Sequence, residues 1–354
     1  MNPAVTTSHD LARRDDKRPG VAQTNAVRLA WLLVALAVLV GVVAASIAIG
    51  SRDIGLRTVL DAIFAYDDSD EHAIIRALRL PRTLTGLCVG ASLGVAGALI
   101  QALTRNPLAD PGILGVNAGA AFAIVLGMAF FGVGSIHGQI WLAFGGALVA
   151  TVMVYAVGTA GRAGATPVRL TLAGVAVGAV LTGVSSGITL LNPAVFDHMR
   201  LWLAGSLAAP GYDALGAVFP FIAVGLGLAF VVARSLNAIA LGDDMAASLG
   251  ANIKWTRTLV VVATTLLAGA ATAAAGPVGF VGLMVPHVAR WIVGPDQRWI
   301  FLFTLVLSPV LLLTADIAGR LLMRPGELQV GIVTAFVGAP VLIALARRRR
   351  VSGL

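Results

Sequence analysis

Phosphate binding through a glycine-rich loop needs a lysine, and this chain has two, Lys17 and Lys254. Neither follows GxxxxG, so a Walker A loop is missing and any ATP chemistry must come from another subunit. The five histidines, His9, His72, His137, His198 and His287, are scattered, and no His, Cys, Asp or Glu group has metal-ligand spacing. The single cysteine, Cys88, lies inside an apolar run and reads as core filling. No serine sits in GxSxG or beside a plausible base. One charged pair does stand in apolar surroundings: LLTADIAGR places Asp316 and Arg320 a turn apart, where they can pair. A carboxylate retained near the bilayer centre marks ion coupling. This one is near the end of its apolar run, which suits a structural pair or a rim contact better than a proton relay. The chain is therefore expected to hold no catalytic, cofactor-binding or metal-binding residue of its own.

A different kind of chemistry, docking, is suggested by LGDDMAASLG at 241–250. Asp243 and Asp244 suit the positive N-terminal end of a short helix, and Gly250 is placed to terminate it. Met245 and Leu249 are i,i+4 neighbours on one face, flanked by Leu241 and Gly242. A short helix with one apolar face, held between two membrane spans, wants a groove on another protein. An interfacial helix on lipid is the weaker alternative, because its exposed acids would be repelled by anionic headgroups.

The elements that position these residues are membrane helices. With 58% hydrophobic and 12% charged residues, and mean hydropathy +0.91, the chain is too apolar for a soluble globular domain. Apolar runs lie near 27–50, 83–103, 113–134, 138–160, 168–191, 211–233, 258–275, 278–293, 299–322 and 328–346. They predict an all-α integral membrane protein of about ten transmembrane helices, a ten-helix domain over 27–347. The run at 278–293 is short and interrupted by Pro286, so it is expected to be a buried half-span. Placing both termini inside puts 17 of the 25 basic residues on inside segments, which fits both termini being cytoplasmic. Arg347 to Arg350 form a stop signal, better explained by topology than by nucleic acid. Residues 1–26 read as a disordered basic cytoplasmic tail and 348–354 as a short C-terminal one. The first apolar run exceeds a signal-peptide core and should remain as an anchor.

Two stretches interrupt these helices. Gly86, Gly90 and Gly94 recur every four residues and permit close helix packing. Asn106, Pro107, Asp110 and Pro111 then stop that helix. In AAAGPVGFVGLMVPHVARWIVG, 273–294, Gly276, Pro277 and Pro286 break helical hydrogen bonding at membrane depth, as in moving or pathway-lining elements of transporters. The two stretches echo each other faintly in opposite orientation, as inverted repeats would. Outside the membrane, Arg76, Arg79 and Arg82 repeat every three residues ahead of the second span. They are either snorkelling anchors or a basic face for an acidic partner. The stretch 192–210 mixes apolar and polar residues like a short helix at the outer mouth.

Taken in order, RLPR (79–82), GASLGVAGALIQALTRNPLADPGILG (90–115), WLAGSL (202–207), LGDDMAASLG (241–250), GPVGFVGLMVPHVAR (276–290), ADIAGR (315–320) and ELQVGIVTAFVGAP (327–340) carry a resemblance over about residues 28–350. The chain resembles the permease subunits of iron-siderophore and cobalamin ABC importers, the FecCD-type, type II class with the large-permease fold. That resemblance implies a multi-pass permease of the bacterial inner membrane, paired with a second permease, identical or paralogous. It further implies two cytoplasmic ATPases that hold ATP and Mg, and an extracytoplasmic substrate-binding protein. LGDDMAASLG matches the family's ATPase-coupling helix. Arg79, Arg82 and Arg320 match the arginines that receive glutamates of the binding protein. Gln329 departs from the proline common there. A ferric siderophore is the expected cargo, with cobalamin or haem as alternatives of the same family. An ion-coupled secondary transporter is the alternative of another class.

Overall fold

The computed structural model describes residues 21–22, 24–50, 54–160, 167–208 and 211–347. The two expected tails fall almost wholly outside these residues. Among the described residues all regular structure is helical. Seven helices are long and apolar enough to cross a membrane: Asn25–Ala48 (α1), Asp70–Thr104, Ile136–Thr159, Val168–Leu191, Tyr212–Ile239, Ile253–Ala275 and Gln297–Leu322. Three shorter apolar helices, Val116–Phe131, Val281–Val293 and Val330–Ala344, complete ten, one for each apolar run of the sequence.

The second crossing is the axis of the bundle. A helical turn Asp70–Ile74 (α2) passes through a π turn, Ile75–Arg79, into α3, Leu80–Thr104. The π turn comes just before Pro81, whose missing N–H cannot continue an α ladder. Of the apolar window in Asp70–Thr104, 83% is buried, against 17% for α1, so α1 lies at the outside of the bundle while α3 is surrounded by protein. Glycine makes the close packing possible. A Cβ at Gly90 would meet the Pro309 backbone, and one at Gly97 would overlap the Gly282 carbonyl. Helices therefore touch backbone to backbone, which packing without a hydrophobic driving force requires.

α3 ends where Arg105 takes a left-handed conformation (φ 51°). Asn106 and Asp110 then cap successive turns through Leu108 N–H and Gly112 N–H. A 3₁₀ turn, Pro111–Leu114, leads through left-handed Gly115 into α4, Val116–Phe131. The crossings that follow are Ile136–Thr159 (α5) and Pro167–Leu191 (α6). A short helix Pro193–Trp202 (α7), capped by Asn192, precedes α8, Tyr212–Ile239. α8 runs six residues past the apolar run, because Arg234 and Asn237 lie on a helix end and not in a loop.

The eighth crossing differs from its expected form. Ile253–Ala275 (α10) ends at Gly276 (φ 71°), and residues 276–280 are non-helical, ending on left-handed Phe280, before α11, Val281–Val293. The half-span is real, but Pro286 does not break it: the proline lies inside an unbroken helix, and the interruption is at Gly276–Phe280. Gln297–Leu322 (α12) and Val330–Arg347 (α13) close the fold; the short helix Asp243–Ser248 (α9) stands between α8 and α10.

Candidate docking ends and transport core

At one end of the bundle, Arg79, Arg82 and Arg320 form one cluster. The last carbonyls of α1 have no intrahelical donors, and two arginines supply them. Arg79 donates to Ile47 and Ala48 oxygens, and Arg320 donates to Ser46 and Ile49 oxygens and to Ser46 Oγ. A guanidinium at a helix C-terminus is also favoured by the helix dipole. Arg320 pairs with Asp316 at 3.0 Å, both side chains being nearly inaccessible at 2% and 1%. Arg82 completes the set by gripping both Asp316 oxygens and reaching Glu327 at 2.7 Å. Two guanidiniums and two carboxylates thus neutralise one another, as buried charge demands. Arg76 lies apart, donating to Ala62 and Ile63 oxygens and stacking over Tyr66. These arginines brace helix ends, and Arg82 also pairs with a partly exposed acid, Glu327.

Near the same end, the non-helical segment 276–280 packs against chain from two other breaks. Ser206 N–H donates to Ala275 O, and Gly331 N–H to Gly205 O. Phe280 is left-handed (φ 68°), and its ring fills the place a Cβ of Gly338 would need. Gly276, Pro277 and the WLAGSL segment are therefore in contact, as are Phe280 and the last helix. Below them, Gln101 Nε2 donates to Gly282 and Leu283 oxygens, while its Oε1 accepts from Arg290 Nη2.

At the other end, Asp243 accepts from Arg105 and Arg257. The loop carrying Asn106, Pro107, Asp110 and Pro111 is thereby tied to α9, two regions 138 residues apart in sequence. Gly242 (φ 114°) and Gly250 (φ 81°) bound the short helix, Asp243 and Asp244 fill its first turn, and Ala246 packs inward. Leu241, Met245 and Leu249 point outward, 56%, 53% and 63% exposed. In the half-buried Asp110, burial pushes the carboxyl above its ordinary value, and the Gly112 N–H pulls the other way. Among the described residues no group of three His, Cys, Asp or Glu side chains could hold a metal ion.

A ten-helix bundle with a non-helical segment at Gly276–Phe280 packed against two other chain breaks, and an apolar-faced helix projecting from one end, is a membrane transport permease in architecture. The chain belongs to the FecCD transport family, whose model matches residues 35–348. It is 49% identical over 333 residues to the ferric enterobactin transport system permease protein FepD of Escherichia coli (strain K12), covering 94% of this chain and 98% of that protein. It is 43% identical to the iron(3+)-hydroxamate import system permease protein FhuB of Bacillus subtilis (strain 168), covering 86% and 79%. A cobalamin import system permease protein, BtuC of Halobacterium salinarum, is 37% identical, covering 79% and 75%. A solved structure described as a metal-chelate type ABC transporter in an inward-facing conformation superposes with TM-score 0.79 at 26% identity, over 91% of this chain and 99% of that one.

Sequence reasoning found the charged residues of both ends but missed the duty of Arg79 and Arg320. Their acceptors are carbonyls of a helix up to 274 residues away, which carry no side-chain signal.

Proposed function

We propose that the chain is the membrane-spanning permease subunit of an ATP-driven importer of ferric siderophores in the bacterial cytoplasmic membrane. The observation that carries this reading is α9: a six-residue helix whose Met245 and Leu249 are exposed, anchored through Asp243 to the Arg105 loop and to Arg257 on α10. Exposed apolar side chains on a rigidly held helix suit a groove on a partner. On this reading the α9 end is cytoplasmic and both termini lie there. α9 docks in a separate ATPase that binds ATP and Mg, and a second permease, a copy or a paralogue, completes the pathway. Nucleotide-driven closure displaces α9, and Arg105 and Arg257 pass the motion to α3 and α10. The paired permeases then open the cavity alternately to either side.

The opposite end receives an extracytoplasmic binding protein. Arg82 is the arginine best able to answer an acidic partner, because its second acid, Glu327, is itself partly exposed and can be exchanged. Arg79 and Arg320 hold the end of α1 and so keep the docking face in shape. Exposed pairs of this kind contribute about 0–1 kcal/mol each, so their role is steering and register. Ferric siderophore is preferred as cargo because the relatives named for ferric enterobactin and iron(3+)-hydroxamate are more similar than the one named for cobalamin.

Affinity purification of the tagged chain in mild detergent, with mass spectrometry of what accompanies it, tests the assembly. A Walker-motif ATPase is expected, and a second permease sequence in the sample would define a heterodimer. A single species that still transports without ATP would replace this reading with a secondary carrier.

A further inference from the structure

A cavity of about 400 Å³ opens where the three chain breaks at the Arg82 end converge. Its walls come from the start of α5, the end of α7, residues 206 and 208, the end of α10 at Ala273–Gly276, and Gln329 just ahead of α13. No lining residue is Asp, Glu, Lys or Arg. The polar groups are the amides of Gln139 and Gln329, the Ser206 hydroxyl and the His198 imidazole, set in an aliphatic wall with Trp202. Gln139 is buried, and the Nε2 atom of His198 is shut off from solvent with no hydrogen-bond partner among the described residues.

We propose that this recess is a selectivity subsite, taking one uncharged, planar, hydrogen-bonding arm of the cargo as it enters the permease. The inference rests on the importer reading and adds to it the chemical class that the outer mouth selects. The volume is at the small end of ligand pockets, sized for a single aromatic or amide arm and too small for a whole metal chelate. The absence of charge disfavours a bare carboxylate or ammonium, whose desolvation nothing here would offset. Trp202 and the aliphatic wall offer a flat surface, and Gln139, His198 and Gln329 can both donate and accept hydrogen bonds. The position adds a consequence: α7, the Ala273–Gly276 end of α10 and the start of α13 all border the occupant, so filling the recess ties together the segments that flank the extended half-span.

The test uses the intact permease–ATPase complex in proteoliposomes, with its binding protein supplied outside, and two ferric probes that this protein delivers, a complex with aromatic amide arms and ferric citrate, which has none. His198→Leu with Gln329→Leu is expected to raise KM for the armed complex about tenfold relative to that for citrate, as loss of one or two hydrogen bonds to buried partners implies, with kcat for the armed complex changed far less. In a Cys88→Ala background, Ala208→Cys should be protected from a neutral maleimide by the armed complex and not by citrate. Equal changes for both probes, no change for either, or protection by lipid alone would overturn the subsite. If the unsubstituted complex moved neither chelate, the importer reading would fall first; uptake of both with no selective change would remove the subsite alone.

Discussion

The side-chain amide of Gln101 donates to the carbonyl of Gly282, the oxygen that Pro286, four residues on, leaves without its helical donor. The same amide nitrogen reaches Leu283 O, and the amide oxygen receives Arg290. One buried glutamine thus repairs the proline defect in α11 and holds the cation a turn below it, from a helix 181 residues away. In hydrocarbon such repair is a condition for tolerating proline at all.

Gln101→Leu strands the Gly282 carbonyl and one guanidinium nitrogen, and is expected to cost about 1–3 kcal/mol. Pro286→Ala restores an N–H to Gly282 O, so the Gln101→Leu penalty should be smaller in the Pro286→Ala background. Melting of the four proteins in detergent checks this, and strict additivity would refute the repair.

Asp316 lies between Arg82 and Arg320. Asp316→Ala leaves two buried guanidiniums underneutralised and should cost about 3–5 kcal/mol, whereas Glu327→Ala, at a partly exposed site, should cost about 0–1. Arg320→Ala also uncaps α1 and should lower the melting temperature of the permease purified without any binding protein. An unchanged melting temperature would mean that Arg320 serves docking alone.

Met245→Asp with Leu249→Asp alters side chains that touch solvent, so the permease should fold and melt as before. The double variant should release the ATPase during purification and lose transport. Retained ATPase with coupled uptake would show that α9 is not the contact.

Asp110 provides a pH signature. Its carboxyl is raised above the ordinary 3.8 by burial, against the pull of the Gly112 N–H. A carboxyl raised in the folded state favours folding when protonated, so its contribution is full below 3.8 and lost as pH rises through the folded value. Asp110→Asn keeps an oxygen for Gly112 N–H without titrating. The variant should therefore gain melting temperature over the parent as pH rises from about 4 toward neutrality. A gap independent of pH would contradict the burial of this group.

The ten apolar helices were legible because each is a local apolar run, and α9 was legible because its caps, acids and apolar pair lie within ten residues, 241–250. Pro286 misled because a proline in sequence looks like a break, while its remedy, Gln101, is on another helix. The bracing by Arg79 and Arg320 was not legible for the complementary reason: the oxygens they hold are backbone groups at the end of α1, identical in every sequence and made special only by the fold. The recess at His198 was hidden because Gln139, His198 and Gln329 are far apart along the chain.

ATP-driven uptake is the most direct test of an importer permease. The permease–ATPase complex, reconstituted in vesicles with ATP inside and a ferric siderophore bound to its binding protein outside, should accumulate iron with ATP and not with ADP, and collapse of the ion gradients should leave the rate unchanged. Accumulation that follows an ion gradient and ignores ATP would contradict the account.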